Sequence, residues 1–238
     1  MIAVCVPIWG RHALTEKVLR RWQGIQKRHD IEIYVGISED VPYNIHGLRR
    51  VICKNEPLGQ KFNDIIYAAG TGFFGSPRPD AVMMVGSDDL IHEDYLHYLQ
   101  EKKPDFAVLG QCYYFEQATG KMLRHWQAAV GAGKYMAAKI LDRCGWQPYE
   151  PEKNLNVDGG PERFVAQGEK HHLVSPVGPW CIDVKSPDEN MWGFGVIENK
   201  YRNTEPADAA AVFAAFGEDV SDWALNKGLS SSPPHFVS

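Results

Sequence analysis

The stretch Ala81-Val-Met-Met-Val-Gly-Ser-Asp-Asp-Leu90 decides the fold class of this 238-residue chain. Ala81 to Val85 form an uninterrupted apolar run that stops at Gly86, Ser87 and two adjacent carboxylates, Asp88 and Asp89. A short apolar run closed by a glycine reads as a strand buried on both faces. Working outward, Ile2–Ile8 and Ile31–Ile37 have the same β-branched, apolar character, and Arg50–Lys54 reads as a short third strand. Helical periods separate them. Ala13–Arg28 carries Leu14, Val18, Leu19, Trp22 and Ile25, and Lys61–Ala69 carries Phe62, Ile65, Ile66 and Ala69. Glu93–Glu101 is a further short helix. Strands alternating with helices predict an α/β domain whose mostly parallel central sheet is flanked by helices, with ligands at the carboxyl ends of the strands. That edge gathers Trp9–Arg11, Glu39–Asp40, Asn55–Glu56 and Gly86–Asp89.

The pattern changes at Phe106. Phe106–Glu116 and Lys121–Gln127 read as strands joined by Ala118-Thr119-Gly120, a smaller hairpin region. Gly131-Ala-Gly-Lys leads into a predicted helix over Tyr135–Cys144, and a second follows at Glu162–Gln167. Val174–Val184 reads as a final strand pair, Ala207–Ala215 as a helix, and the tail from Ser230 as disordered. The expected organisation is a nucleotide-binding half over residues 1–105, an acceptor-side half of the same domain over 106–200, and an extension over 201–238.

Composition excludes several classes. Hydrophobic residues make up 44% and charged residues 23%, values of a globular protein. Five dispersed cysteines without a C-x-x-C pair indicate neither a zinc site nor a disulfide framework, and point to reduced, cytoplasmic thiols. The apolar N-terminal run is too short for a signal peptide or a membrane span. A formal charge of −5 argues against broad nucleic-acid binding, although Arg20, Arg21, Lys27 and Arg28 form a local basic cluster on the first helix.

Asp88 and Asp89 are the sharpest chemical feature. Hard oxygen ligands at the end of a strand suit Mg²⁺ or Mn²⁺, which bind one or two carboxylates together with substrate phosphates. The competing reading is a helix cap ahead of Glu93. Several segments, in order, resemble the family 2 glycosyltransferases and their relatives of GT-A fold. These are Val6-Pro7-Ile8-Trp9-Gly10-Arg11, Glu39-Asp40, Pro57-Leu-Gly-Gln-Lys61-Phe-Asn63, Ser87-Asp88-Asp89 at the D-x-D position, and Gly131-Ala-Gly-Lys with Arg143-Cys-Gly-Trp-Gln-Pro. The resemblance spans roughly residues 2–195, and Ser87 departs from the first acidic position of the D-x-D pattern.

The resemblance implies a GT-A fold, a nucleotide-diphospho-sugar donor (commonly a UDP-sugar) and a hydroxyl acceptor. It places Pro7, Trp9, Arg11, Glu39, Asp40, Lys61, Asn63, Ser87 and Asp88 around the nucleotide. Asp89 falls to the metal, and Asp88 to the ribose or the metal shell. It also puts a general base well after the D-x-D position. Asp158, flanked by Gly159-Gly160 and a helix-opening Pro161, fits best, with Glu162 and Asp183 as substitutes. Lys185, His125, His171 and His172 fall near the diphosphate and acceptor. Trp126, Trp146, Trp180 and Trp192 are either core or a sugar-stacking platform. The acceptor is a saccharide, a protein side chain or a hydroxymethylated DNA base. A sugar-nucleotide nucleotidyltransferase and a non-catalytic nucleotide-sugar binding module are the alternatives. A dinucleotide oxidoreductase is disfavoured, because no G-x-G-x-x-G follows the first strand.

Overall fold

The computed structural model describes residues 1–39, 41, 47–126, 130–154, 157–187, 193–200 and 203–225, without the side chains of Asp158 and Lys200. The expected alternation forms the larger of two sheets. Strands β1 (Ile2–Ile8), β2 (Ile31–Ile37), β3 (Leu48–Ile52) and β4 (Ala81–Met84) are mutually parallel, with helices α1 (His12–Gln26) and α2 (Leu58–Gly70) between them. Strands β6 (Phe106–Leu109), β9 (Lys134–Ala137) and β10 (His171–Val174) complete seven strands in the order β10-β6-β9-β4-β1-β2-β3. β9 alone runs antiparallel to its neighbours.

Side-chain alternation explains the two layers. Val4, Val6, Ile33, Val35 and Met83 face Leu14, Val18, Leu19, Trp22 and Ile25 of α1. The intervening Ala3, Cys5, Tyr34, Val82 and Met84 face Ile65, Ile66 and Ala69 of α2 and Ile140 and Leu141 of α4 (Ala138–Arg143). Both faces are covered, which is why these strands read as unbroken apolar runs.

The smaller sheet has five strands in the order β12-β8-β7-β11-β5. These are β5 (Asp89–Ile91), β7 (Gln111–Glu116), β8 (Met122–Trp126), β11 (Cys181–Lys185) and β12 (Thr204–Pro206). The β7–β8 pair is the expected antiparallel hairpin. β5 is opened by Asp89 and leads to α3 (Glu93–Lys102), and α5 (Phe194–Lys200) packs on Leu123 and Tyr114. The C-terminal helices α6 (Ala209–Ala215) and α7 (Val220–Trp223) bury Phe213 and Trp223 in the same core as Phe115.

Four expectations are corrected. The predicted helix over Tyr135–Cys144 begins as strand β9, because Tyr135 and Met136 are captured between β4 and β6 and ladder pairing overrides the local period. The single strand over Phe106–Glu116 breaks at Gly110 into β6 and β7, which enter different sheets. The segment after Gly86 holds a short strand, β5, where only a turn and a helix are read from sequence. The helix at Glu162–Gln167 is a 3₁₀ turn over Pro161–Phe164. Among the described residues no helix is long and apolar enough to cross a membrane.

Candidate functional site: an acidic cluster at the junction of two sheets

After β4 the chain leaves the large sheet, turns through Gly86-Ser87-Asp88 and enters the small sheet as β5. Gly86 leaves room there for the two carboxylates to fold back over the turn. A Cβ at that position would lie 2.6 Å from Asp89 Oδ2 and 2.9 Å from Asp88 Oδ1. Its backbone N–H instead donates to Asp89 Oδ2 at 2.6 Å. The Val184 N–H donates to the Asp88 carbonyl at 2.9 Å, which ties the turn to β11. Asp89 stands opposite Asp183 in the antiparallel β5–β11 ladder, and Asp183 stands beside Tyr114 in the parallel β11–β7 ladder. Asp89, Asp183 and Tyr114 therefore form one row on one face of the small sheet, and Lys185 projects from that face two residues along β11.

The result is a group of three carboxylates, Asp88, Asp89 and Asp183, each offering an oxygen within 4.8 Å of the others. Ser87, Asp88, Asp89 and Lys185 are all buried. Two cations face the group. Arg11, in a left-handed conformation at φ 46° just before α1, donates through one guanidinium nitrogen to Asp88 Oδ2 and through the other to Ser87 Oγ at 3.1 Å. Lys185 Nζ lies 2.7 Å from Asp183 Oδ2 and 3.9 Å from Asp88 Oδ2. Asp183 Oδ1 is buried with no hydrogen-bond partner among the described residues.

Burial, reinforced by Asp183 and Asp88, pushes the Asp89 carboxyl well above its ordinary range. Burial raises Asp183 as well, against the opposing pull of Lys185. For Lys185, burial favours the neutral amine, but Asp183 and Asp88 together outweigh it and raise the ammonium's pKa. Three carboxylates facing one another in a buried site, one with an unmatched oxygen, form a hard oxygen donor set of the kind that Mg²⁺ and Mn²⁺ take.

The other predicted residues occupy distinct places. Trp9, at the end of β1, is 48% exposed and presents its ring at the carboxyl edge, with Pro7 inside the strand behind it. Glu39 accepts from the Gly10 N–H at 2.6 Å, which joins the ends of β1 and β2. Asp40 lies outside the described residues. Lys61 is buried, and its ammonium donates to Ile8 O at 2.5 Å, Ser38 Oγ at 3.0 Å and Asn55 Oδ1 at 3.1 Å. It thus links the end of β1 to the chain just past β2 and β3, and burial lowers its pKa. Asn63 is buried against Tyr149, donating to its carbonyl at 3.0 Å and accepting from its N–H at 2.9 Å. That contact fastens α2 to the segment after α4. Asp158 falls in a 3₁₀ turn, Val157–Gly159. Glu162 is held by the buried Lys134 at 2.7 Å.

His171 and His172 sit on the edge strand β10. His171 packs edge-on against Phe106, and Nδ1 of His172 is 2.7 Å from the Tyr98 hydroxyl. His125 stands on β8, opposite Cys112, and burial lowers its pKa. Trp146 is buried against Gly70 and Arg78, Trp180 packs with Tyr95 and Tyr98, and Arg124 stacks over Trp126. Trp192 lies outside the described residues. In the basic cluster on and just after α1, Arg20 pairs with Glu16, Arg21 with Glu218 and Arg28 with Glu93. The five cysteines are free thiols, with Cys112 and Cys181 Sγ 3.4 Å apart on adjacent strands.

Sequence reasoning named Asp183 only as a substitute base and placed Lys185 only near the diphosphate. The available signal was the alternation in Cys181-Ile-Asp-Val-Lys185, which puts Asp183 and Lys185 on one face. No protein-family model and no curated protein matches the chain. Among solved structures, the chain is similar to a glycosyltransferase involved in glycosylation of the major capsid of PBCV-1. That match has 12% identity and a TM-score of 0.46, over 76% of this chain and 92% of that one. It is similar also to a mannosyltransferase from Pyrobaculum calidifontis in complex with GDP-Man and Mn²⁺, with 13% identity and a TM-score of 0.43 over 77% of this chain. The chain spans only 56% of that protein's length. A third is the galactosyltransferase LgtC, with 12% identity and a TM-score of 0.40, over 99% of this chain and 98% of that one.

Proposed function

We propose that this chain transfers a sugar from a nucleoside-diphosphate donor, UDP-sugar first among them, to a hydroxyl acceptor, with Mn²⁺ or Mg²⁺ held by Asp88, Asp89 and Asp183. The observation that carries the reading is the convergence of three carboxylates at the junction of the two sheets, just past the carboxyl end of β4, with Asp183 Oδ1 buried and unmatched among the described residues. Asp88, Asp89 and Asp183 would hold a divalent ion, which would supply charge neutralisation for the departing diphosphate.

Further residues are assigned parts in this reading. Trp9 offers an exposed ring for stacking on the base, and Glu39, bonded to the end of β1, and Asp40, next to it in sequence, are assigned to the ribose and base. Arg11 holds Asp88 in place, and Ser87 shares its guanidinium. Lys61 and Asn63 act as struts: one fixes the ends of three strands, the other fixes α2. Asp158, on its 3₁₀ turn, takes the proton of the acceptor hydroxyl as that oxygen bonds to the anomeric carbon and the bond to the diphosphate breaks, with inversion. A saccharide, a protein side chain and a hydroxymethylated DNA base are the acceptors to be screened. The acidic total charge and the paired arginines on and just after α1 weigh against the last.

Calorimetric titration with UDP, GDP and CDP, with and without Mn²⁺, tests the donor site in the wild type and in Asp89→Ala. Metal-dependent binding of one nucleotide, lost in the variant, is the expected result. Binding of none of the three under either condition would sink the reading.

A further inference from the structure

A lysine inside a group of carboxylates offered as metal ligands is the feature the proposed reaction leaves unexplained. Lys185 is 7% exposed, and its ammonium touches Asp183 at 2.7 Å and approaches Asp88 at 3.9 Å, so it sits where a cation belongs. Register fixes it there. β11 pairs with β5 on one side and β7 on the other, Asp183 faces Asp89, and the Lys185 ammonium lies over the Tyr114 ring at 5.8 Å. With Arg11 on Asp88, the three carboxylates already face two fixed positive charges. The group therefore carries a net charge of about −1 before any metal arrives, and about +1 once a divalent ion has joined it.

Two consequences follow. A divalent ion takes carboxylate oxygens at about 2.1 Å, so an ion on the unmatched Oδ1 of Asp183 shares one carboxylate with the Lys185 ammonium on Oδ2, and the two cations repel each other across it. A buried ammonium parted from its carboxylate is costly unless another anion takes over. The lysine stem is flexible and its three donors rotate, so the group can turn to a new partner without moving β11. The anion that arrives with the metal in the proposed reaction is the diphosphate.

We infer that Lys185 is a built-in counter-cation of the acidic cluster, which holds off a divalent metal until a nucleoside diphosphate is present and then transfers to that diphosphate. Metal and nucleotide binding are thereby made mutually dependent, each strengthening the other by the same factor. This inference rests on the donor and metal reading above, and it adds a sign that the reading alone does not carry.

The experiment measures Mn²⁺ binding to the full chain without nucleotide, by the paramagnetic resonance of free Mn²⁺. UDP and GDP binding are then measured by calorimetry, in EDTA and in Mn²⁺. In the wild type the nucleotide is expected to tighten Mn²⁺ by about tenfold or more. Lys185→Met is expected to move the two ligands in opposite directions: Mn²⁺ alone binds about tenfold tighter, and the nucleotide binds more weakly. Lys185→Arg, which keeps the charge, is expected to retain the wild-type order. A lysine that only supports the fold would weaken both ligands when removed. That result, or Mn²⁺ affinity unchanged in Lys185→Met, overturns the inference. Should Lys185→Met fail to fold, as read by its thermal melt, the wild-type titration still decides. Mn²⁺ binding that is equal with and without a bound nucleotide overturns the inference. If the wild type binds neither UDP nor GDP under any condition, the glycosyl-transfer reading fails, and the Mn²⁺ comparison between wild type and Lys185→Met then judges the counter-cation by itself.

Discussion

The large and small sheets meet at the acidic cluster and supply it in different ways. The large sheet contributes Ser87 and Asp88 from a turn just past β4, and the chain then enters the small sheet with Asp89 at the head of β5, so chain continuity alone brings all three to the carboxyl edge. The small sheet contributes Asp183 and Lys185 from within β11. These two reach the same point only because β11 lies between β5 and β7 in one register. A turn after a strand is a local event, whereas a cross-strand neighbour depends on pairing between distant segments; a one-residue slip would send Asp183 to the opposite face. The comparison implies that half of the site is robust to local change and half depends on the register of a five-stranded sheet.

The largest test breaks the part common to both sheets. Asp89→Ala removes a carboxylate that caps the Gly86 turn and faces Asp183, and is expected to cost at least about a hundredfold in metal-dependent nucleotide affinity, about 2.7 kcal/mol by calorimetry. Next, Asp183→Asn tests the small sheet's share while conserving shape. Mn²⁺ affinity should fall by about tenfold or more with the circular-dichroism spectrum retained. Unchanged affinity would leave the site to Asp88 and Asp89 alone.

The third test concerns the framework on the large-sheet side. Asn63→Ala leaves both backbone groups of Tyr149 without their side-chain partner, and should cost about 2–3 kcal/mol in denaturant unfolding. Mn²⁺ affinity of the folded fraction should be unchanged, because Asn63 does not reach the carboxylates.

The smallest effect is a pH dependence. Hydrogen bonding from Arg28, with His29 adding to it, holds Glu93 down from an ordinary 4.5 to about 2, joining the end of α1 to the start of α3. A depressed carboxylate stabilises the fold above its unfolded pKa and loses that contribution as pH falls through the folded one. The melting-temperature difference between wild type and Glu93→Gln should therefore be full above about pH 5 and shrink toward pH 2. A difference that grows on acidification would contradict the pairing.

Much of this architecture was legible in the sequence where burial on both faces made strands read as unbroken apolar runs. β1 and β2 match their expected bounds of Ile2–Ile8 and Ile31–Ile37, and β4 ends one residue early at Met84. β9 was not legible. Lys134-Tyr-Met-Ala137 runs directly into α4 with no break, and only capture between β4 and β6 makes it a strand. The split of Phe106–Glu116 was likewise hidden, since Gly110 can continue a strand as readily as end one. Polar residues on the first helices were located but not their tasks. Lys61 and Asn63 lie on the predicted helix, yet their partners, Ile8, Ser38, Asn55 and Tyr149, come from segments that no helical period connects to them.

The sequence by itself determined the α/β class, the order of the first strands and helices, and a pair of carboxylates at the end of β4. Periodicity and strand-end chemistry are short-range properties of a chain. Only the tertiary structure decided that there are two sheets, that Asp183 completes a group of three, and that Lys185 stands inside it. Those facts follow from the pairing of β5 with β11 across some ninety residues of chain, and registers of that kind are set by packing of the whole core rather than by any window of sequence.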